Sequence, residues 1–411
     1  MIQKISLTTL VLILAVLCNA RAQSRPNRYT DSLTAIMQSG NDSSKANAAL
    51  LLSYYWVARD TIKSEQYINI AKSSGRNIPY IRAITPFYEG VLFYIKSDIP
   101  SSEKAFMDAN EQLKAFNTRE ALSFRSKSWH NYGILQQVKG DEEGFARVMI
   151  DESIPLAEQA RDTAYLGKNY LDLAIVFKNT LQYDKAVSYL LDAIGTLKQH
   201  KSTLDLINAI TTLAETYVLK EDFSKAKPTL DSALAWLRRK PNDNLMVDYY
   251  SAEALYYVGM KQFSKALESV ANGIEKIQGQ GRNYDEQRLL LQKFYALYNL
   301  KRYREAKEVL VHLTEQPEMM SLFSNRLELF KGMAETQAAL GEFKPAYEWM
   351  SRYSQLNDSI STSKLKDEIH AMEIRYGNVE KQKKIDALKS ENEKSSLSAK
   401  NTRLMIWFLA S

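Results

Sequence analysis

An aromatic residue followed three places later by alanine recurs five times at intervals of forty residues: Tyr183/Ala186, Phe223/Ala226, Phe263/Ala266, Tyr303/Ala306 and Phe343/Ala346. With Phe plus Tyr and Ala each near a tenth of a chain, one such match weighs roughly a hundredfold against chance. Five in phase leave no room for accident, and a fixed period of this length commits the chain to a repeat architecture. The phase continues upstream in weaker letters through Ala146, Ala105 and Ser64, with the aromatic missing or displaced (Phe145 stands beside Ala146). About eight units fit between Tyr29 and Asn357.

Each unit carries two helical stripes. In the fourth, Tyr170, Leu173, Ala174, Phe177 and Leu181 recur at three- and four-residue steps. After a polar turn, Tyr183, Ala186, Val187, Leu190, Ala193 and Ile194 form a second stripe. The alanines let two antiparallel helices approach closely, and the aromatic fills the wedge at the turn. A lone hairpin cannot bury its apolar face, so neighbours must stack; the expected fold is an all-α superhelical solenoid of 40-residue helix-turn-helix units.

Small residues midway along the first helix, an aromatic three positions later and aromatic-x-x-Ala opening the second resemble tetratricopeptide (TPR) repeats. The resemblance covers most of the chain and is most specific in the last five units. This sequence departs from that family's common period of about 34 and largely lacks its closing proline. The extra residues fit as longer helices. HEAT or armadillo repeats have a similar period and are the structural alternative, and the aromatic-x-x-Ala signature speaks against them.

Composition agrees with a folded array: 411 residues, 45% hydrophobic and 25% charged, exceed what one compact core accommodates. The net charge of +6 is scattered, with no basic stripe interleaved with aromatics, so nucleic acid is not an expected partner. There is no phosphate-cradling glycine loop, nucleophile elbow or paired-histidine motif, so no catalytic residue, metal or cofactor is expected. His130, His200, His312 and His370 are far apart; His370 and Glu373 share a helix face, which reads as a solvated flank rather than a metal pair.

The ends of the sequence point to a compartment. Lys4, the apolar stretch from Ile5 to Leu17 and Ala20-Arg21-Ala22 form the pattern of a secretory signal peptide over 1–22. Cleavage after Ala22 removes Cys18, the one cysteine, so no disulfide is expected. The solenoid is assigned to 23–360. Beyond it, Leu365, Ile369, Met372, Tyr376 and Val379 step by four, three, four and three, a heptad seam. Residues 361–403 therefore read as a coiled-coil stalk able to pair as a homodimer; a single solvated helix lying on the last repeat is the alternative. The run from Leu404 to Ser411 is too short to span a bilayer and reads as the start of a truncated transmembrane helix over 404–411. An exported, periplasmic solenoid anchored to the inner membrane is expected.

This order of parts, with Met372-Glu373-Ile374-Arg375-Tyr376 and the charged helix after it, resembles the TPR sensor proteins of Bacteroidetes-type bacteria. In those proteins a membrane helix leads to a histidine kinase module or a helix-turn-helix regulator. The resemblance implies a ligand- or protein-binding sensor domain whose output module is not in this chain. The alternative is a membrane-tethered periplasmic scaffold for protein–protein interaction without signalling output. Projecting the repeat family's inward positions puts His130, Lys168, Lys178, Asn208, Glu215, Tyr295 and Tyr298 on the concave face, where a protein, peptide or glycan ligand would bind. They do not reproduce the family's lysine-and-asparagine clamp for a terminal carboxylate. Tyr54-Tyr55-Trp56, Tyr249-Tyr250 and Tyr256-Tyr257 read as either core or ligand platforms.

Overall fold

The computed structural model describes residues 28–200, 203–277, 283–321 and 323–358; the expected signal peptide, stalk and membrane segment lie outside the described residues. Among the described residues there is no strand, and no helix is long and apolar enough to cross a membrane. Two compact bodies divide between Leu322 and Phe323.

In the first body, α1 (Arg28–Ser39) precedes a run of hairpins. The first three are α2 (Asp42–Trp56) with α3 (Thr61–Ser74), α4 (Pro79–Ile95) with α5 (Ile99–Leu113), and α6 (Arg119–Val138) with a split second helix. That split helix is α7 (Glu142–Val148), a π-turn (Met149–Ser153) and α8 (Ile154–Ala160). Then come α9 (Thr163–Asn179) with α10 (Tyr183–His200), α11 (Thr203–Leu219) with α12 (Phe223–Arg239), and α13 (Asp243–Gly259) with α14 (Phe263–Ile277). Last are α15 (Asn283–Asn299) with α16 (Tyr303–Thr314) and the short α17 (Pro317–Ser321). The second body holds an eighth hairpin, α18 (Phe323–Ala339) and the helix over 343–358.

Local chemistry sets these boundaries. Asp60, Asp98, Asp141, Asp162 and Asp222 each stand just before a helix and accept a hydrogen bond from the backbone amide three residues on. This satisfies a donor that the helix itself leaves unpaired. The turns within hairpins two to eight share one geometry. Ser97, Gly140, Leu181, Glu221, Lys261, Lys301 and Gly341 all adopt left-handed backbone, with φ from 58° to 84°. The next amide then reaches back five residues, as from Gln182 to the Phe177 carbonyl at 2.8 Å and from Gln262 to the Tyr257 carbonyl at 2.8 Å. That is the Schellman closure of a helix end.

Counting four residues on from the start of each turn's closing residue, the tight crossing within the hairpin is held by Ser64, Ser102, Phe145, Ala186, Ala226, Ala266, Ala306 and Ala346. Sequence phase alone puts Ala105 and Ala146 at this place, and the structure shifts both. Ser64 Oγ donates to the Ser53 carbonyl at 2.9 Å and Ser102 Oγ to the Gly90 carbonyl at 2.8 Å, so serine replaces alanine by satisfying its own hydroxyl. In the third hairpin the sizes are exchanged: Phe145 fills the crossing, and a Cβ on the facing Gly133 would lie only 3.1 Å from its ring.

Stacking between units buries the second helix of one against the first helix of the next. The Phe223 ring occupies the space above Gly259, where a Cβ would come within 2.6 Å, and lies 6.1 Å from the Tyr256 ring. The largest buried cluster runs from Leu171 to Tyr256, across α9 to α13.

Candidate functional site

The first helices of successive units form a layer of their own, and their polar residues meet across unit boundaries. Lys168, Asn208, Asp248 and Arg288 stand forty residues apart on α9, α11, α13 and α15. Such a column becomes a ladder along the inner face of the array. Arg288 donates to Asp248 at 3.3 Å on the neighbouring helix and reaches past it to Glu215 on α11 at 3.4 Å. A side chain can touch the helix two units away only if the layer curves inward. Lys178 of α9 closes on the other oxygen of Glu215 at 2.8 Å.

These charges are neither fully buried nor freely solvated. The side chains of Lys178, Glu215, Arg288 and Asp248 are 13%, 17%, 25% and 28% exposed. Burial alone would raise the Glu215 pKa, but Lys178 and Arg288 overrule it and hold the carboxyl at about 2. Tyr284, on the same helix as Arg288, lies under its guanidinium at 5.9 Å.

A second cluster joins α6 and α9. His130 is 2% exposed; its Nε2 faces Asp172 Oδ2 at 3.0 Å, and its Nδ1 and the Tyr165 hydroxyl share a hydrogen bond at 2.8 Å. Lys168 Nζ donates to the same Asp172 oxygen at 2.5 Å. Burial pushes the imidazole below its ordinary value, with Asp172 opposing and Lys168 adding to the shift. Beneath it, the π-turn brings Ser153 to Ser126. Ser126 Oγ donates to the Ser153 carbonyl at 2.7 Å, Ser153 Oγ to the Ser126 carbonyl at 3.0 Å, and Asn169 Nδ2 to Ser153 Oγ at 3.0 Å. A π-turn of this kind re-aims side chains that a regular helix would present elsewhere.

Tyr54 of α2 completes this region. It is 43% exposed, yet it lies within electrostatic reach of Lys168 and Tyr165, more than a hundred residues away in sequence. Lys127 sits 5.3 Å from both the Phe124 and Tyr165 rings and 3.8 Å from Asp162.

The structure brings His130 together with Lys168, and Lys178 together with Glu215. Asn208 accepts from the Thr212 hydroxyl at 3.4 Å and stands in the ladder between Lys168 and Asp248. Tyr295 and Tyr298 pack around Phe294, at 5.0 and 6.0 Å between ring centroids. His130 is sealed from solvent, so it positions Tyr165 and Asp172 rather than offering a contact of its own. Of the aromatic clusters, Tyr249 and Tyr256 are core, whereas Tyr54 is exposed. Asp172, Asp248 and Arg288 escaped the sequence reading. Asp172 is one turn beyond Lys168 on the same helix face, and Asp248 and Arg288 continue the phase of Lys168 and Asn208.

No family model matches the chain, and no curated protein does. Solved structures resemble it. The apo form of the quorum sensor NprR from B. thuringiensis superposes with a TM-score of 0.59 at 13% identity, over 85% of this chain and 97% of the other. Aspartyl phosphate phosphatase F from Bacillus subtilis gives 0.51 at 14% identity, over 87% and 96%. The Rap conjugation gene regulator of the plasmid pLS20, solved in complex with the Phr* peptide, gives 0.50 at 13% identity, over 86% and 96%. At such identities the likeness concerns the fold, and the fold of this chain is an all-helical TPR-like solenoid.

Proposed function

We propose that this chain is the binding part of a sensor: its inner groove takes a peptide or an extended protein segment, and a membrane-anchored signalling protein reads the result. The observation that carries the reading is the ladder of partly exposed, charge-balanced side chains across successive first helices, with Tyr54 within electrostatic reach of Lys168. An extended chain presents amides, charges and apolar groups at regular spacing. A ladder of polar and charged side chains repeated from one first helix to the next offers such a chain successive contacts, which a compact small molecule would not use. The resemblance to a quorum sensor and to a regulator solved with a peptide supports the same direction. Export and anchoring belong to this reading through the signal-peptide pattern over 1–22 and the apolar run over 404–411. The reading assigns no chemistry to the chain itself.

A random-sequence peptide library displayed against the chain tests it. Enriched peptides should bind the wild type, and Tyr54→Ala combined with Lys168→Met should weaken them about tenfold or more, the scale of a lost anchor contact. Enrichment that is indifferent to both substitutions, and to Arg288→Ala, would place binding elsewhere and end the proposal. A scaffold without signalling output would bind through the same groove. It differs in that ligand would leave the pattern of stalk crosslinks unchanged.

A further inference from the structure

The eighth hairpin exposes what every complete hairpin before it covers. In its second helix Phe343 is 72% exposed, Tyr347 75% and Met350 41%. These residues stand at spacings of four and three, one stripe of a helix. The residues at the phase of Met350 in earlier units, Leu190, Leu230, Val270 and Leu310, are at most 2% exposed. The residues at the phase of Phe343 are partly buried, and for Phe223 the cover is explicit: its ring lies on Gly259 and beside Tyr256, both on the first helix of the following unit. The stripe is thus a stacking surface that lacks its following helix among the described residues.

The sequence supplies that helix in register. Three periods of forty carry Leu245, Tyr249, Ala252, Tyr256 and Gly259 onto Leu365, Ile369, Met372, Tyr376 and Val379. At the phase of Ile369 the earlier units place Ala209, Tyr249, Leu289 and Leu329, all buried. At the phase of Tyr376 they place Thr216, Tyr256, Ala296 and Thr336, all buried. The apolar seam beyond Asp358 is therefore spaced as a first helix of this array. Between its members stand Lys366, Asp367, Glu368, Glu373 and Arg375, the polar outer face that a terminal element of a solenoid needs.

We propose that residues 361–379 of the same chain form a ninth first helix, docked on the Phe343, Tyr347 and Met350 stripe and closing the end of the array. The seam is then occupied in cis, and a coiled coil with a second copy can begin only after Val379. This inference is independent of what the groove binds.

Paired cysteines in the full chain test it, with Cys18→Ser as background and a bismaleimide of short reach as probe. Phe343→Cys with Val379→Cys reproduces the phase of Phe223 and Gly259, and Phe223→Cys with Gly259→Cys serves as the positive control. A crosslink within one chain, at a yield like that of the control, is expected. Adding Ile369→Asp should lower that yield about tenfold or more, since docking would bury an unpaired carboxylate. Crosslinked dimers would instead assign the seam to a second copy and overturn the proposal, as would no crosslink in a preparation where the control pair reacts.

Discussion

His130 loses its solvent on folding, and that loss outweighs its pairing with Asp172, which makes the stability of the α6–α9 junction depend on pH. Its folded pKa lies below the ordinary 6.5, so below pH 6.5 the unfolded chain binds the proton more readily than the folded one. The contribution is fully present above pH 6.5 and is lost as pH falls. Urea midpoints measured at pH 7.5 and 5.5 should drop for the wild type and drop less for His130→Asn. Equal slopes in both proteins would show that the imidazole is not neutral in the fold. Glu215 works further down the scale. Its carboxyl, held at about 2 against an ordinary 4.5, stabilises the fold above pH 4.5 by up to about 3 kcal/mol, and that contribution fades as pH falls toward 2. Glu215→Gln should flatten the acid limb of stability between those values; an unchanged limb would mean that Lys178 and Arg288 do not hold the charge. These networks were half legible in the sequence. Inward phase alone leads to Lys168, Lys178, Asn208 and Glu215. The partners that neutralise them, Asp172 and Arg288, depend on which rotamer crosses a unit boundary, and a one-dimensional pattern does not carry that.

At the scale of the helical hairpin, the sequence speaks clearly where size alone decides and poorly where size is exchanged between partners. The five aromatic-x-x-Ala pairs mark their crossings because alanine is always on the second helix. In the second hairpin serine replaces alanine at the crossing and Phe106 packs on Gly90 one turn further on, while in the third Phe145 takes the crossing against Gly133 and the small residue has moved to the first helix. With serine in one crossing and phenylalanine in the other, no alanine marks the place, so the phase estimate drifts to Ala105 and Ala146. The turns were hidden for a different reason. Five of the seven left-handed positions carry side chains, although glycine adopts this backbone without steric cost. Lys261, at φ 58° and exposed, is one of them. Lys261→Gly should therefore raise stability by about 1 kcal/mol, the usual cost of left-handed backbone for an L-residue. Thermal melts read this directly. A fall instead would mean that the lysine side chain makes a stabilising contact that outweighs the backbone strain.

An array held together by contacts between neighbours stores its stability unevenly, and damage should stay local. The densest buried cluster, from Leu171 to Tyr256, centres on α11, where Leu213 is 5% exposed between α10 and α13. The cluster around Ala46 to Leu135 is separate in its buried members, and only a few residues such as Tyr94 touch both it and the intervening core near Phe145. Leu213→Ala removes apolar volume that the flanking helices cannot refill, at a cost of about 2–5 kcal/mol. In a compact single-core protein that loss would lower protection everywhere the global transition governs exchange. Here it should fall mainly on α9 to α13. Hydrogen exchange followed by mass spectrometry is expected to show amides of α10 to α12 speeding up by roughly a hundredfold or more, the factor that about 3 kcal/mol represents, while α2 to α5 keep nearly their wild-type rates. If α2 to α5 accelerate by the same factor, the hairpins of the first body unfold as one cooperative unit. A ligand lying along the groove would then stabilise all of them at once, and a binding event in the middle of the array would reach its ends without any change of shape.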